Sequence, residues 1–177
     1  IRVSLVGSEM CIRDRMSVSA AQITFWLFAS IMGLSLASVF IEFTQTSIAR
    51  VFFITASTFG AMSLYGYTTK RDLTKLGGFL FMGLIGIIIA SVVNIFVGST
   101  ALQFAISVIG VLVFVGLTAY DTQNIKNMYY GGDSEEIGSK KALMGALKLY
   151  LDFINLFILL LQLLSLIHIS EPTRLTR

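Results

Sequence analysis

The sequence predicts an all-α membrane protein, a single bundle of five spanning helices. Three observations predict it. Over 177 residues only 13% are charged while 55% are hydrophobic, where a soluble domain carries about a quarter charged residues. The mean hydropathy is +0.83. The charges that exist are gathered into short stretches between long uncharged runs, each long enough for the ~20 apolar residues that cross the hydrocarbon.

Both ends break the style of the chain. Residues 1–15 and 166–177 hold the only Cys (Cys11), the only His (His168) and the only Pro (Pro172), and read as translated adaptor sequence. They are set apart from the fold argument as tails, leaving one transmembrane domain over 16–165. Between Met16 and Ser165 there are eight Lys/Arg and seven Asp/Glu, a net charge of +1. Nothing in that balance points to nucleic acid. Without Cys or His in the domain, thiol chemistry, disulfides and a zinc site have no ligands to work with. The domain begins almost directly in a hydrophobic segment, which suggests amino-terminal truncation.

The first span, about 18–41, carries no charge and ends at Glu42. Ser35, Ser38 and Glu42 share one helical face, and Glu42 reads as an interfacial acid. A turn at Phe43–Ser47 leads to the second span, about 50–69. Lys70, Arg71, Asp72 and Lys75 then form a basic loop. Leu76 to Tyr120 is 45 residues without a charge, enough for two helices. The cluster of polar and glycine residues at 94–100 divides it into spans of about 76–96 and 101–121. Gly83, Gly86, Gly110 and Gly116 are expected at helix contacts, where a missing side chain lets backbones approach. A polar hairpin, 124–141, precedes the fifth span, about 142–164, and its Asp133, Glu135 and Glu136 read as a solvated acidic loop. Lys and Arg concentrate in loops 70–75 and 124–141, which places both on the cytoplasmic side.

Two carboxylates stand out. Asp121 closes one apolar run and Asp152 lies inside the next. A carboxylate in a membrane segment is expensive and marks a functional site by default. On the fifth span Lys148, Asp152, Asn155 and Gln162 fall on or near one face, and Thr118 lies one turn before Asp121. A polar seam between two hairpin-connected helices follows, with Thr118, Lys148 and Asn155 supporting the acidic pair. Two adjacent carboxylates resist double ionisation and titrate as a unit. They can share a proton or hold a hard cation such as Ca²⁺ through oxygen ligands. A plainer arrangement is also open: Asp152 paired with Lys148 one turn earlier, and Asp121 solvating a helix end.

The stretches Gly116-Leu-Thr-Ala-Tyr-Asp-Thr-Gln-Asn-Ile-Lys and Ala142-Leu-Met-Gly-Ala-Leu-Lys-Leu-Tyr-Leu-Asp-Phe-Ile-Asn-Leu-Phe closely resemble the Bax inhibitor-1 family, in its bacterial branch. Ser63-Leu-Tyr-Gly-Tyr-Thr-Thr-Lys-Arg-Asp-Leu fits the same branch, and the resemblance covers about Met16 to Leu164. It implies a seven-helix bundle with a central last helix, of which five spans are present here. It also implies a pH-sensitive calcium leak channel of the bacterial inner membrane, with Asp121 and Asp152 as the proton-sensing dyad. Such a protein is not an enzyme and needs no cofactor beyond transient Ca²⁺. Its partners are the bilayer and the cation, and some bacterial members bind a membrane-anchored ATP-dependent protease. The two helices missing from the pattern would bring an arginine that contacts the acidic pair. An intramembrane aspartyl protease fits less well, because Tyr150-Leu-Asp152 lacks the Gly-x-Gly-Asp turn of that class.

Overall fold

A computed structural model describes residues 17–129 and 131–170. It forms six helices: α1 (Val18–Leu36), α2 (Val39–Glu42), α3 (Gln45–Thr68), α4 (Thr74–Val97), α5 (Thr100–Met128) and α6 (Glu135–Ser170). No strand occurs among the described residues. Five helical segments are long and apolar enough to cross a membrane, with α1 and α2 together making the first. Of the tails set apart in the sequence reading, residues 1–15 and 171–177 lie outside the described residues, as does Tyr130, whereas 166–170 continue the last helix.

Local chemistry starts and stops these helices. The hydroxyls of Ser17, Thr44 and Ser99 accept from the backbone N–H groups of Ala20, Ser47 and Leu102, capping α1, α3 and α5 and satisfying donors that lipid cannot. Gly98 ends α4 at φ 63°, a left-handed conformation that suits glycine. The first span is interrupted: the helix pauses at Ala37–Ser38, where the Ser38 hydroxyl donates to the Ser35 carbonyl. Ala37 and Ser38 keep right-handed helical φ and ψ, so the pause is a tightened turn within one span.

Four helix boundaries differ from the sequence reading, one of them at the carboxyl end, where α6 runs past 164 to Ser170 and into the tail set apart above. The second span starts at Gln45 rather than near 50, because Thr44 caps a polar first turn. The fourth runs to Met128, two turns beyond Asp121, and the fifth begins at Glu135 rather than near 142. Most of the 124–141 hairpin is thus helical. Hydropathy marks where a helix leaves lipid and not where it ends. Here the emergent turns are held by polar contacts. Glu135 and Glu136 occupy the first turn of α6, where the helix dipole favours acids. Glu136 pairs with Lys140 at 2.8 Å. Asp133, expected in solvent, pairs with Lys141, which also donates to the Met128 carbonyl at the end of α5.

α5 is the organising helix. It packs against α3, α4 and α6, while α6 also meets α3 and α1. The core on its flank is Leu80, Val113, Phe114, Leu117 and Leu156, and a second cluster joins Ile48, Val51 and Leu161. Phe52, Phe59, Phe153 and Phe157 stack edge-to-face between α3 and α6. α6 also has three neighbours, but it is less enclosed than α5, with 22% of its apolar stretch buried against 33% for α5.

Glycines set the closest approaches. A Cβ on Gly66 would run into the backbone of Ala119, and one on Gly77 into the ring of Tyr120. Gly83, Gly110 and Gly116 meet Val113, Leu159 and Leu80 as expected, whereas Gly86 has open space around it. Buried hydroxyls are neutralised within their own helix. Thr55, Ser107 and Thr118 each donate to a carbonyl four residues earlier.

Candidate functional site

The length of α5 decides the geometry of the acidic pair. Because the helix continues past Asp121, that residue is a side-wall position facing α6 and not a frayed end. Asp121 and Asp152 meet across the α5–α6 contact, close enough for one carboxyl to hydrogen-bond the other when a proton is present. Asp152 is only 6% exposed. Its Oδ2 is the one buried side-chain oxygen or nitrogen among the described residues without a hydrogen-bond partner. A buried carboxylate left like this costs several kcal/mol unless it is protonated or neutralised by a cation.

Lys148 supplies a charge, but to the other acid. Its Nζ lies 3.7 Å from Oδ1 of Asp121, with the lysine side chain 41% exposed and the aspartate 13%. The alternative ion pair of Lys148 with Asp152, one turn apart on α6, is not the one formed. Asp121 thus bridges a half-exposed ammonium and a buried carboxyl.

Both aspartates, Lys148 and Asn155 line one cleft of about 1000 Å³ between α4 and α6, floored by α5. Asn155 donates from Nδ2 to the Leu151 carbonyl at 2.9 Å, while its side chain still borders the cleft. Gln162 lines it further along. Thr118 sits elsewhere: it is fully buried, its hydroxyl is committed to the Phe114 carbonyl at 2.8 Å, and it does not border the cleft. Periodicity placed it near Asp121, but periodicity does not report where a hydroxyl points.

Among the described residues no group of three or more His, Cys, Asp and Glu side chains is arranged to hold a metal ion. The pair offers carboxylate oxygens to a passing hard cation, not a closed cage.

Sequence reasoning missed Gln123. Its Oε1 accepts from the Leu73 N–H at 2.8 Å and its Nε2 donates to the Arg71 carbonyl at 2.7 Å, so it pins the 70–75 loop to α5. A polar residue two positions beyond Asp121, on the helix side that faces α3 and α4, was the available signal. In the same loop Asp72 accepts from both the backbone and the hydroxyl of Thr74. Those bonds hold its carboxyl below the usual carboxylate range. The contribution is full at neutral pH and fades only as the pH falls through that lowered value. Lys126 likewise donates to the Tyr67 carbonyl at 2.7 Å and lies 4.7 Å from that ring's centre.

Fold and site together define a polytopic helical membrane protein built around a buried carboxylate pair on the wall of an open cleft. Comparison with known proteins names the family. The model of the Bax1-I family, described as inhibitor of apoptosis-promoting Bax1, matches residues 3–168, and the chain belongs to that family. The match takes in most of the amino-terminal tail set apart above. The chain is similar to protein RP147 of Rickettsia prowazekii, 57% identical over 151 residues, covering 85% of this chain and 64% of the relative. It is similar to the inner membrane protein YbhL of Escherichia coli K12, 53% identical over 152 residues, 85% of this chain and 65% of YbhL. A protein of Borreliella burgdorferi is 52% identical over 166 residues, 93% of this chain and 72% of its own length. The chain therefore spans just under two thirds of the length of the first two relatives.

Proposed function

We propose that this protein is a proton-regulated cation leak channel of the bacterial inner membrane, with Ca²⁺ as cargo and Asp121 and Asp152 as the gate. One observation carries the reading. A buried carboxyl with an unpartnered oxygen faces a second carboxyl on the wall of a cleft open enough for water and ions. A structural ion pair would not leave that oxygen empty. Family membership supports the reading, and the name of YbhL supports the membrane assigned.

The mechanism follows from charge. With one shared proton the carboxyls hydrogen-bond, α5 and α6 stay drawn together, and the path is shut. At higher pH the proton leaves and two negative charges repel. Either the helices part or a cation bridges the pair and is passed on. Lys148 holds one charge of the pair in check, so the site does not bind the cation too tightly to release it. The reading assigns transport rather than catalysis.

Calcium efflux from proteoliposomes as a function of pH tests it. The wild type should leak more as pH rises, while Asp121→Asn and Asp152→Asn should lose at least about tenfold of the pH response, the factor that 1.4 kcal/mol of gating energy represents. Wild-type flux no greater than that of empty liposomes at every pH would sink the proposal.

A further inference from the structure

The cleft has a second polar boundary at the end away from the aspartates. Asn94 of α4 donates from Nδ2 to Oε1 of Gln103 of α5 at 2.9 Å, and Gln103 donates from Nε2 to Oε1 of Gln162 of α6 at 3.2 Å. The Asn94 Oδ1 accepts from the Ser99 N–H at 3.1 Å, which anchors the chain of amides to the α4–α5 turn. Three side chains from three helices are thus joined in one line across the same three helices that wall and floor the cleft. Gln162 is the member that borders it. Along α6 it lies ten residues beyond Asp152, about 15 Å at 1.5 Å per residue.

Such amides are costly in lipid and worth placing only where their bonds hold something together. The three helices are already joined by apolar packing around Val113, Phe114 and Leu156, so the amides are not needed to assemble the bundle. What they add is a crossbar where α4 and α6 would otherwise be separated by the cleft. We infer that Asn94, Gln103 and Gln162 form a clasp that closes the cleft at this end, in series with the carboxylate pair at the other. Water and ions that enter past Asp121 and Lys148 are stopped there until the Gln103–Gln162 bond opens. Once it opens, the Gln162 Oε1 that had accepted the bond becomes a neutral, hard ligand for a cation on its way through. The inference rests on the channel reading for its purpose, but the seal itself can be tested without any ion flux.

Ser91 borders the cleft and serves as the reporter. In the full chain with Cys11 replaced by Ser, Ser91→Cys is exposed in singly oriented proteoliposomes to a charged, membrane-impermeant thiol reagent, added from one side and then the other. At a pH high enough to open the carboxylate pair, the clasp predicts reaction from the carboxylate end only. Adding Gln103→Leu or Gln162→Met should speed reaction from the amide end by about fivefold or more, the size expected for losing an interhelical polar bond. Gln162→Glu, whose carboxylate still accepts from Gln103, should keep the seal. Equal labelling from the amide end with and without the clasp overturns the inference. So does labelling of the unmodified clasp from that end. Opening by Gln162→Glu as large as by Gln162→Met would show general loosening and overturn it too. Because no ion is measured, a channel that fails to conduct leaves this result standing, and a failed seal leaves the flux result standing.

Discussion

At the scale of single residues, the orphaned oxygen of Asp152 makes a prediction about stability. A buried acceptor without a partner costs about 1–3 kcal/mol. Asp152→Asn puts an amide donor beside Asp121, so it should melt at or above the wild type in detergent, higher by up to about 1 kcal/mol. A clear drop in melting temperature would mean that the carboxyl is structural. Asp121, Lys148, Asp152 and Asn155 were legible in the sequence because a charge or an amide in an apolar run has few bland uses. Which acid Lys148 would choose was not legible. Both are within a lysine's reach, and the answer depends on how α5 and α6 are rotated. Thr118 and Gln123 show the same limit from two sides, one hydroxyl turned back to its own helix and one amide reaching to a loop some fifty residues away in sequence.

At the scale of elements, the contact between α3 and α5 rests on bare backbone at Gly66. A Cβ there must push Ala119 aside, whereas one on Gly86 meets nothing within 4 Å. Gly66→Ala should therefore cost about 1–3 kcal/mol, the range for overpacking a close contact. Gly86→Ala should be neutral or slightly stabilising through helix propensity. Melting the two variants side by side decides it, and equal behaviour would refute the close-packing account. The five spans were readable because long uncharged runs have one interpretation in a chain this apolar. Their ends were not. Residues 122–128 and 135–141 look like loop to a hydropathy argument, yet Ile125 packs on Gly145 and Lys141 ties the two helix ends together. Which glycines matter was half legible: Gly83, Gly110 and Gly116 have neighbours, but Gly66 and Gly77 sit where polar residues drew attention elsewhere.

At the scale of the whole molecule, the charges sort by end. Lys70, Arg71, Lys75, Lys126, Lys140 and Lys141 gather where loop 70–75 is pinned to α5 and where α5 turns into α6. Arg50, near the start of α3, is the one Lys or Arg toward the opposite end among the described residues. That asymmetry puts the first end in the cytoplasm. Single cysteines at Thr69 and Ser134 should react with an impermeant reagent only in inverted vesicles, and one at Ser99 only in right-side-out vesicles. The reverse pattern would invert the assignment of the carboxylate end to the cytoplasm. The architecture was legible from composition and from two motifs, because spans and their order need only hydropathy. The cleft was not, because a space between α4 and α6 belongs to no single stretch of sequence. A last consequence concerns how such a chain can drift over generations. None of the residues of α1 is buried, and its exposed Ile23, Trp26 and Leu34 face away from the core. One apolar letter can replace another along that helix with little for selection to detect. Gly66 and Ala119 have no such latitude, and neither do the aspartates. Lineages of this protein should diverge fastest in their first described span and slowest where two backbones touch.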